Sequence, residues 1–405
     1  MIGPANTSAS RRRPPLWLAS AAMAAAWGAL YSIGNWIFLF VFGPVHQDMR
    51  FTYVAAEAGL RYGWSTIYDA ATLHSLSTSF PPTQQYIGGS LTYINPPLLA
   101  WLFVPFTAFS EPVAYALWTV LSLGALAWAW YLAAPYSGLA KVTLLMLAVA
   151  LWPVLLVFYF GQPSMVLLLL VALAWWLCAH ERPLAAGAAL ALATFLKPQA
   201  VALVPVALLV SGRYRPVVGW ALACVALGVA SVLTLGPSGL TGWSQALKDV
   251  QADPAHTYDT LAHVFGLGPL TYALWVLQGI AALAIAWERR RELEIVFAAG
   301  ILGSVATAFH FHEIDYSILV LAAWLVLRTS PPMWHRLWLV LGIVPMQVMT
   351  FGAASAALVL VAPQLFWDVV WLAILSAGGL TANGGRAAVL SPSLVVQAAG
   401  SPRDK

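Results

Sequence analysis

Apolar runs of roughly 17 to 25 residues recur from Leu16 to Leu375, each long enough to cross a hydrocarbon core of about 30 Å as a helix. Segments such as Leu144 to Val157 are apolar on every face, which excludes the polar–apolar alternation of a membrane β-barrel. The pattern predicts an all-α polytopic membrane protein with about twelve transmembrane helices. Polar residues gather in the gaps between runs, and three gaps stand out: 43–111, 236–266 and 310–315. The stretch from Pro96 to Phe109 is apolar but short, opens with a double proline and is followed at once by the longer run Pro112 to Ala134. It is predicted to be a re-entrant or interfacial helix rather than a span.

Composition agrees with a bilayer as the solvent, since 61% of the 405 residues are hydrophobic and 8% charged, far from the balance of a soluble domain. Charge then sets orientation. With Arg11–Arg13 held inside, 15 of the 19 basic residues fall on the cytoplasmic side, three (Arg50, Arg61, Lys248) fall outside, and Lys197 stays at membrane depth. Nine acidic residues are then expected to face out: Asp48, Glu57, Asp69, Glu111, Asp249, Asp253, Asp259, Glu313 and Asp315. Counting the Pro96–Phe109 helix as a span would invert most of that bias. The net charge of +4 therefore reports topology and implies no nucleic-acid partner. Both termini are predicted cytoplasmic, with an N-terminal tail over 1–15, one transmembrane domain over 16–376 behind a structured external first loop, and a disordered tail over 377–405. The first run is predicted to be an uncleaved span, because it is about twice a signal core in length. Cys178 and Cys224 lie inside apolar runs and suit packing, not a disulfide or a metal.

The external side is where chemistry is expected. Asp48 follows the first span directly, where a carboxylate can act as general base on a hydroxyl; an ordinary loop aspartate, or an ion pair with Arg50, is the competing reading. Lys197 interrupts two short apolar runs in Thr194-Phe195-Leu196-Lys197-Pro198-Gln199. Proline breaks the helix there, and broken helices at that depth are tolerated only against protein or a wet cavity. An intramembrane ammonium costs at least about 2.5 kcal/mol, which a lipid phosphate would offset; the alternative is a lysine snorkelling to the interface. His310, His312, Glu313 and Asp315 fall within six residues at the end of a helix, and imidazole suits contact with phosphate or sugar. His-x-His with nearby carboxylates also admits zinc, but no third firm ligand is evident. Gln162 sits between Gly161 and Pro163 at a predicted helix break. The twenty tryptophans suit interfacial anchoring. No Walker loop, dinucleotide fingerprint, nucleophile elbow or external Asp-x-Asp pair is found, so neither a cofactor nor a bound metal is expected.

In order along the chain, Asp48 with Tyr53-Val54-Ala55-Ala56 and Tyr68-Asp69, Tyr93-Ile94-Asn95-Pro96-Pro97-Leu98-Leu99, Gly161-Gln162, Lys197-Pro198, Gly236-Pro237-Ser238-Gly239 with Trp243, and His310-x-His312 with Asp315 resemble the motifs of glycosyltransferase family 87. Asn95 stands where that family usually has an aromatic residue and Ile314 where it often has tyrosine. The resemblance implies a C-type membrane glycosyltransferase of a bacterial plasma membrane with its site on the external face. It also implies a polyprenyl-phosphate sugar donor, mannose or arabinose, and inverting attack by a hydroxyl of a glycolipid or glycan acceptor. Asp48 would be the base, and His310 and His312 would share its cavity. Arg50, Tyr93, Asn95, Gln162, Lys197 and Asp315 are the accompanying candidates for donor and acceptor binding; the assignment of Lys197 to the donor phosphate rests on its charge and depth.

A carrier or flippase of a lipid-linked sugar would share a lipid-sized groove and a charged residue at depth, but transporters commonly show inverted repeats and midplane polar sites, and neither pattern is visible. An assembly scaffold would explain the hydrophobicity but not Lys197 or the histidines.

Overall fold

The computed structural model describes residues 14–42, 47–78, 93–252, 259–348 and 358–389. All elements among them are helical. In chain order they are α1 (Leu16–Phe42), α2 (Gln47–Tyr62), α3 (Ala70–Ser77), α4 (Pro97–Phe103), α5 (Glu111–Ala133), α6 (Gly138–Ala150) and α7 (Trp152–Phe160). There follow α8 (Ser164–Ala179), α9 (Pro183–Leu196), α10 (Leu203–Val210), α11 (Tyr214–Ala252), α12 (Leu261–Phe265) and α13 (Pro269–Glu288). The chain closes with α14 (Leu293–Ala306), α15 (Leu319–Arg328), α16 (Met333–Leu341), α17 (Ile343–Val348) and α18 (Leu358–Val389).

Among the described residues, five helices are long and apolar enough to cross a membrane: α1, α5, α11, α13 and α18. The bent pair α6 and α7, turned by 62° at Leu151, makes a sixth if read as one span. The remaining apolar runs form shorter helices, because proline and glycine interrupt them: Pro153 opens α7, Pro183 opens α9, and Pro198 stops α9 just after Lys197. The Pro96–Phe109 stretch is such a short element, α4 followed by a 3-10 turn over Val104–Ala108.

Apolarity sorts the helices into inner and outer. Every residue of α14 from Ile295 to Ala306 is buried, as expected for a helix apolar all round that is wrapped by protein. On α11, by contrast, Leu222, Val225, Val229, Val232 and Leu233 are exposed, a surface that suits lipid. α9 and α11 touch backbone to backbone: a Cβ added to Gly187 would lie 2.1 Å from the Pro216 carbonyl, and one on Gly219 would lie 2.5 Å from that of Leu184. Small residues at a crossing are what lets membrane helices approach this closely.

Two departures from the sequence reading concern element ends. The stretch 236–266, read as a loop, is helical through Ala252; the chain turns at Gly236 (φ 62°, ψ −176°) and Pro237 restarts the helix at the position where proline is best tolerated. α18 runs on to Val389, into the segment read as a tail, and residues 390–405 lie outside the described ones.

Polar contacts divide into two groups. At one end of the bundle Arg213 donates to the Arg290 carbonyl, Arg328 approaches Glu294 and lies over the Trp175 ring, and Arg289 pairs with Glu292. At the other, Arg50 meets Glu111, Gln162 meets Asp48, Lys197 meets Asp315, and Tyr316 meets Asp259. Open depressions lined by Arg182, Arg213 and Arg215 belong to the first end. The convergent ionisable groups belong to the second.

Candidate active site

Asp48 lies in the first turn of α2, between residues that fix the helix. Met49 is fully buried, and Arg50, 6% exposed, donates from Nη2 to Glu111 Oε1 at 3.2 Å. Against this turn lies the end of α7. Gly161 takes a left-handed conformation (φ 68°), and a Cβ there would stand 2.4 Å from the Met49 Cβ, so glycine is required twice, for the backbone angle and for the contact. The amide of Gln162 closes the helix end on the Val157 carbonyl at 2.9 Å, while Trp118 donates to the Gly161 carbonyl at 2.9 Å and the Tyr115 hydroxyl to that of Phe158 at 2.6 Å. These bonds satisfy carbonyls that a helix end leaves free. The Gln162 side chain is thereby set beside Asp48, and its Nε2 donates to Asp48 Oδ2 at 2.5 Å.

Lys197 enters from a third element. It follows the last residue of α9 with non-helical dihedrals (φ −156°, ψ 82°), and a 3-10 turn over Pro198–Ala200 leads towards α10. The freed Leu203 amide is satisfied by Ser304 Oγ of α14 at 2.9 Å, the compensation that broken helices need away from water. The ammonium donates to Gln162 Oε1 at 3.2 Å and pairs with Asp315 Oδ1. Lys197 is 8% exposed and Asp315 2%. The other Asp315 oxygen accepts the His312 amide at 3.1 Å, capping the 3-10 turn Glu313–Ile318. One continuous polar chain results: Asp48, Gln162, Lys197, Asp315 and the histidine turn.

In that turn Phe311 is fully buried against Tyr316 (ring centroids 5.0 Å apart), which leaves its neighbours His310 and His312 part-exposed, with ring centroids 5.0 Å apart. Burial pushes the Asp48 carboxyl above its ordinary range; the Gln162 hydrogen bond, Lys197 and His312 oppose that rise, and Asp315 adds to it. Asp259 is 6% exposed; burial and the facing Glu313 push it up to about 8. Asp259, His312 and Glu313 offer three ligating atoms within 4.8 Å of one another, the group that a divalent cation would use, although the sequence pointed to no metal.

The sequence-predicted residues do not all converge. Asp48, Gln162, Lys197, His312 and Asp315 do, with His310 beside them. Arg50 is committed to Glu111. Tyr93, 1% exposed, joins a second cluster: its ring stacks on Tyr68 (5.6 Å), Tyr68 stacks on Trp243 (5.8 Å), the Tyr68 hydroxyl donates to the Asn95 carbonyl at 2.8 Å, and Trp243 donates to that of Ile94 at 3.0 Å. This stack holds the 93–95 segment, in which Tyr93 is buried and Asn95 half-buried. Asp69, from the same motif, caps α3 through Thr72. Glu111, Trp118 and Asp259 escaped sequence reasoning as site residues; only the placement of Glu111 and Asp259 among the outward-facing acidic residues signalled them, and Trp118, inside an apolar run, gave no signal.

Residues 93–311, more than half of the chain, match the family model described as Glycosyltransferase family 87. The match includes Tyr93, Asn95, Gln162, Lys197 and His310; Asp48, Arg50, His312 and Asp315 lie beyond its ends. No curated protein and no solved structure matches the chain.

Proposed function

The chain belongs to glycosyltransferase family 87, and from that membership we propose an inverting transferase that moves a sugar, mannose or arabinose, from a polyprenyl-phosphate donor to a hydroxyl of a glycolipid or glycan. The polar chain from Asp48 to Asp315 carries the reading. Asp48 is the general base: it stands at the end of a span with one carboxylate oxygen held, and burial makes it more basic than a solvated aspartate. As the acceptor oxygen forms its bond to the anomeric carbon and the bond to the phosphate oxygen breaks, Asp48 takes the acceptor proton and the polyprenyl phosphate departs with its electron pair.

Charge develops on that departing phosphate. An ammonium has three N–H groups, and Lys197 directs two of them to Gln162 and Asp315, leaving a third for a phosphate oxygen, where a fixed cation in a water-poor site is most effective. His310 and His312 add donors beside it, and Asn95 is available to a sugar hydroxyl. Arg50 serves this region through its pair with Glu111, which stiffens the start of α2. The same reading has the site face the external side of a bacterial plasma membrane with both termini in the cytoplasm, since that orientation keeps most basic residues inside.

The test is an assay of the purified protein in lipid with radiolabelled polyprenyl-phosphate mannose and, separately, arabinose, scoring label transferred to a membrane glycolipid extract. Transfer from either donor is the expected result and identifies the sugar. No transfer, together with movement of the intact donor across liposome membranes, overturns the reading in favour of a flippase.

A further inference from the structure

The side-chain amide of Gln162 is engaged at both ends, by Asp48 Oδ2 at 2.5 Å and by Lys197 Nζ at 3.2 Å. A carboxylate only accepts and an ammonium only donates, so these neighbours dictate which way the amide faces. Its backbone is equally constrained, between the Val157 carbonyl, the Gly161–Met49 contact and Trp118. The side chain that sequence reading sets among the substrate contacts is therefore held by protein groups on both of its polar atoms.

We infer that Gln162 is a positioning residue for sugar transfer: it holds Asp48 by one carboxylate oxygen, presents the other to the acceptor hydroxyl, and stands as a neutral spacer between the base and the Lys197 ammonium. The inference rests on the reading of Asp48 as the base. A direct Lys197–Asp48 pair would spend the base's lone pairs on a cation; with the amide between them, Lys197 stays on Asp315 and remains available to phosphate. The charged groups that bear on Asp48 are Lys197 at the end of α9 and His312 and Asp315 in the turn before α15; α5 brings Glu111 against α2, where it pairs with Arg50. Of the influences that favour the ionised form, the Gln162 hydrogen bond is the largest. Removing the donor while keeping the bulk therefore shifts Asp48 towards its protonated form, in which it cannot act as base.

Gln162→Met keeps the spacer and loses both hydrogen bonds. In the full-length protein in lipid, it is expected to lower kcat about 10- to 100-fold, within the usual contribution of acid–base catalysis. The donor KM should stay within about threefold, and the acid limb of the kcat–pH profile should move up by about one unit. Gln162→Glu, which keeps the shape but replaces the donor with an acceptor, moves the limb the same way and serves if the methionine variant is unstable. A raised donor KM with an unmoved acid limb in the variant that folds would make Gln162 a donor contact and overturn the inference while Asp48 keeps its role. Full turnover in Asp48→Asn would instead remove the base on which the inference rests.

Discussion

Lys197 and Asp315 form a buried ion pair that ties the break after α9 to the turn carrying His310 and His312, two segments separated by more than a hundred residues. The pair explains how a lysine is tolerated there at all. Its charge is offset by a carboxylate 2% exposed, and the second oxygen of that carboxylate caps the histidine turn, so the residue that neutralises the ammonium also orders the turn that carries His310 and His312.

Breaking that pair from one side leaves an uncompensated buried charge. Lys197→Met is expected to destabilise the protein by about 3–5 kcal/mol and to raise the donor KM. Adding Asp315→Asn should recover most of the stability but not the transfer activity. Thermal unfolding in detergent alongside donor kinetics separates the two effects; full recovery of activity in the double variant would remove Lys197 from donor binding.

The Arg50–Glu111 pair is expected to act on the placement of α2 rather than on substrate. Arg50→Met and Glu111→Gln should be non-additive, with a coupling of about 1–3 kcal/mol in a double-mutant cycle of unfolding. An additive cycle, together with a donor KM that changes only in the arginine variant, would return Arg50 to the substrate.

Gly161→Ala places a methyl 2.4 Å from Met49 Cβ at a left-handed backbone position. Strain of about 1–3 kcal/mol is expected, with the start of α2 pushed away from Gln162 and kcat reduced. Wild-type kcat and an unchanged melting temperature would show that the α2–α7 contact does not set the site.

Asp259 titrates from a carboxyl pushed up to about 8, against an ordinary value of 3.8. Because the folded state holds the proton more tightly, the associated stability is complete below about pH 4 and is lost as pH rises through about 8. Asp259→Asn keeps a neutral, hydrogen-bonding group facing Glu313, so its melting temperature should stay flatter across that window and exceed that of the wild type at the alkaline end. Parallel melting curves for the two proteins would contradict the raised Asp259 carboxyl.

Much of the site was legible as interruption. Lys197 and Gln162 break apolar runs beside proline, Asp48 stands at the end of the first run, and His310, His312 and Asp315 crowd a single turn; polar residues at such positions are costly, so their presence is informative. Pairing was not legible, because it depends on which helices meet: Glu111 lies sixty-one positions from Arg50, and nothing local says that Asp259 faces Glu313. The Gly236-Pro237 step reads equally as the start of a loop or of a new helix, and packing of the following segment against the Tyr68 region, where a Cβ added to Gly242 would lie 3.3 Å from that of Tyr68, accompanies the second outcome. Helix length was the least legible feature, since apolar runs report the surroundings of a segment, and a buried helix such as α14 is as apolar as one that crosses lipid.

If Asp48 removes the acceptor proton, the single-turnover rate of sugar transfer by Asp48→Asn under saturating donor reports it. Asparagine preserves the size of the side chain and still meets the Gln162 amide but cannot take a proton, so the rate should fall by about 10²- to 10⁴-fold with donor binding and melting temperature nearly unchanged. Turnover within a fewfold of the wild type would mean that Asp48 is not the base.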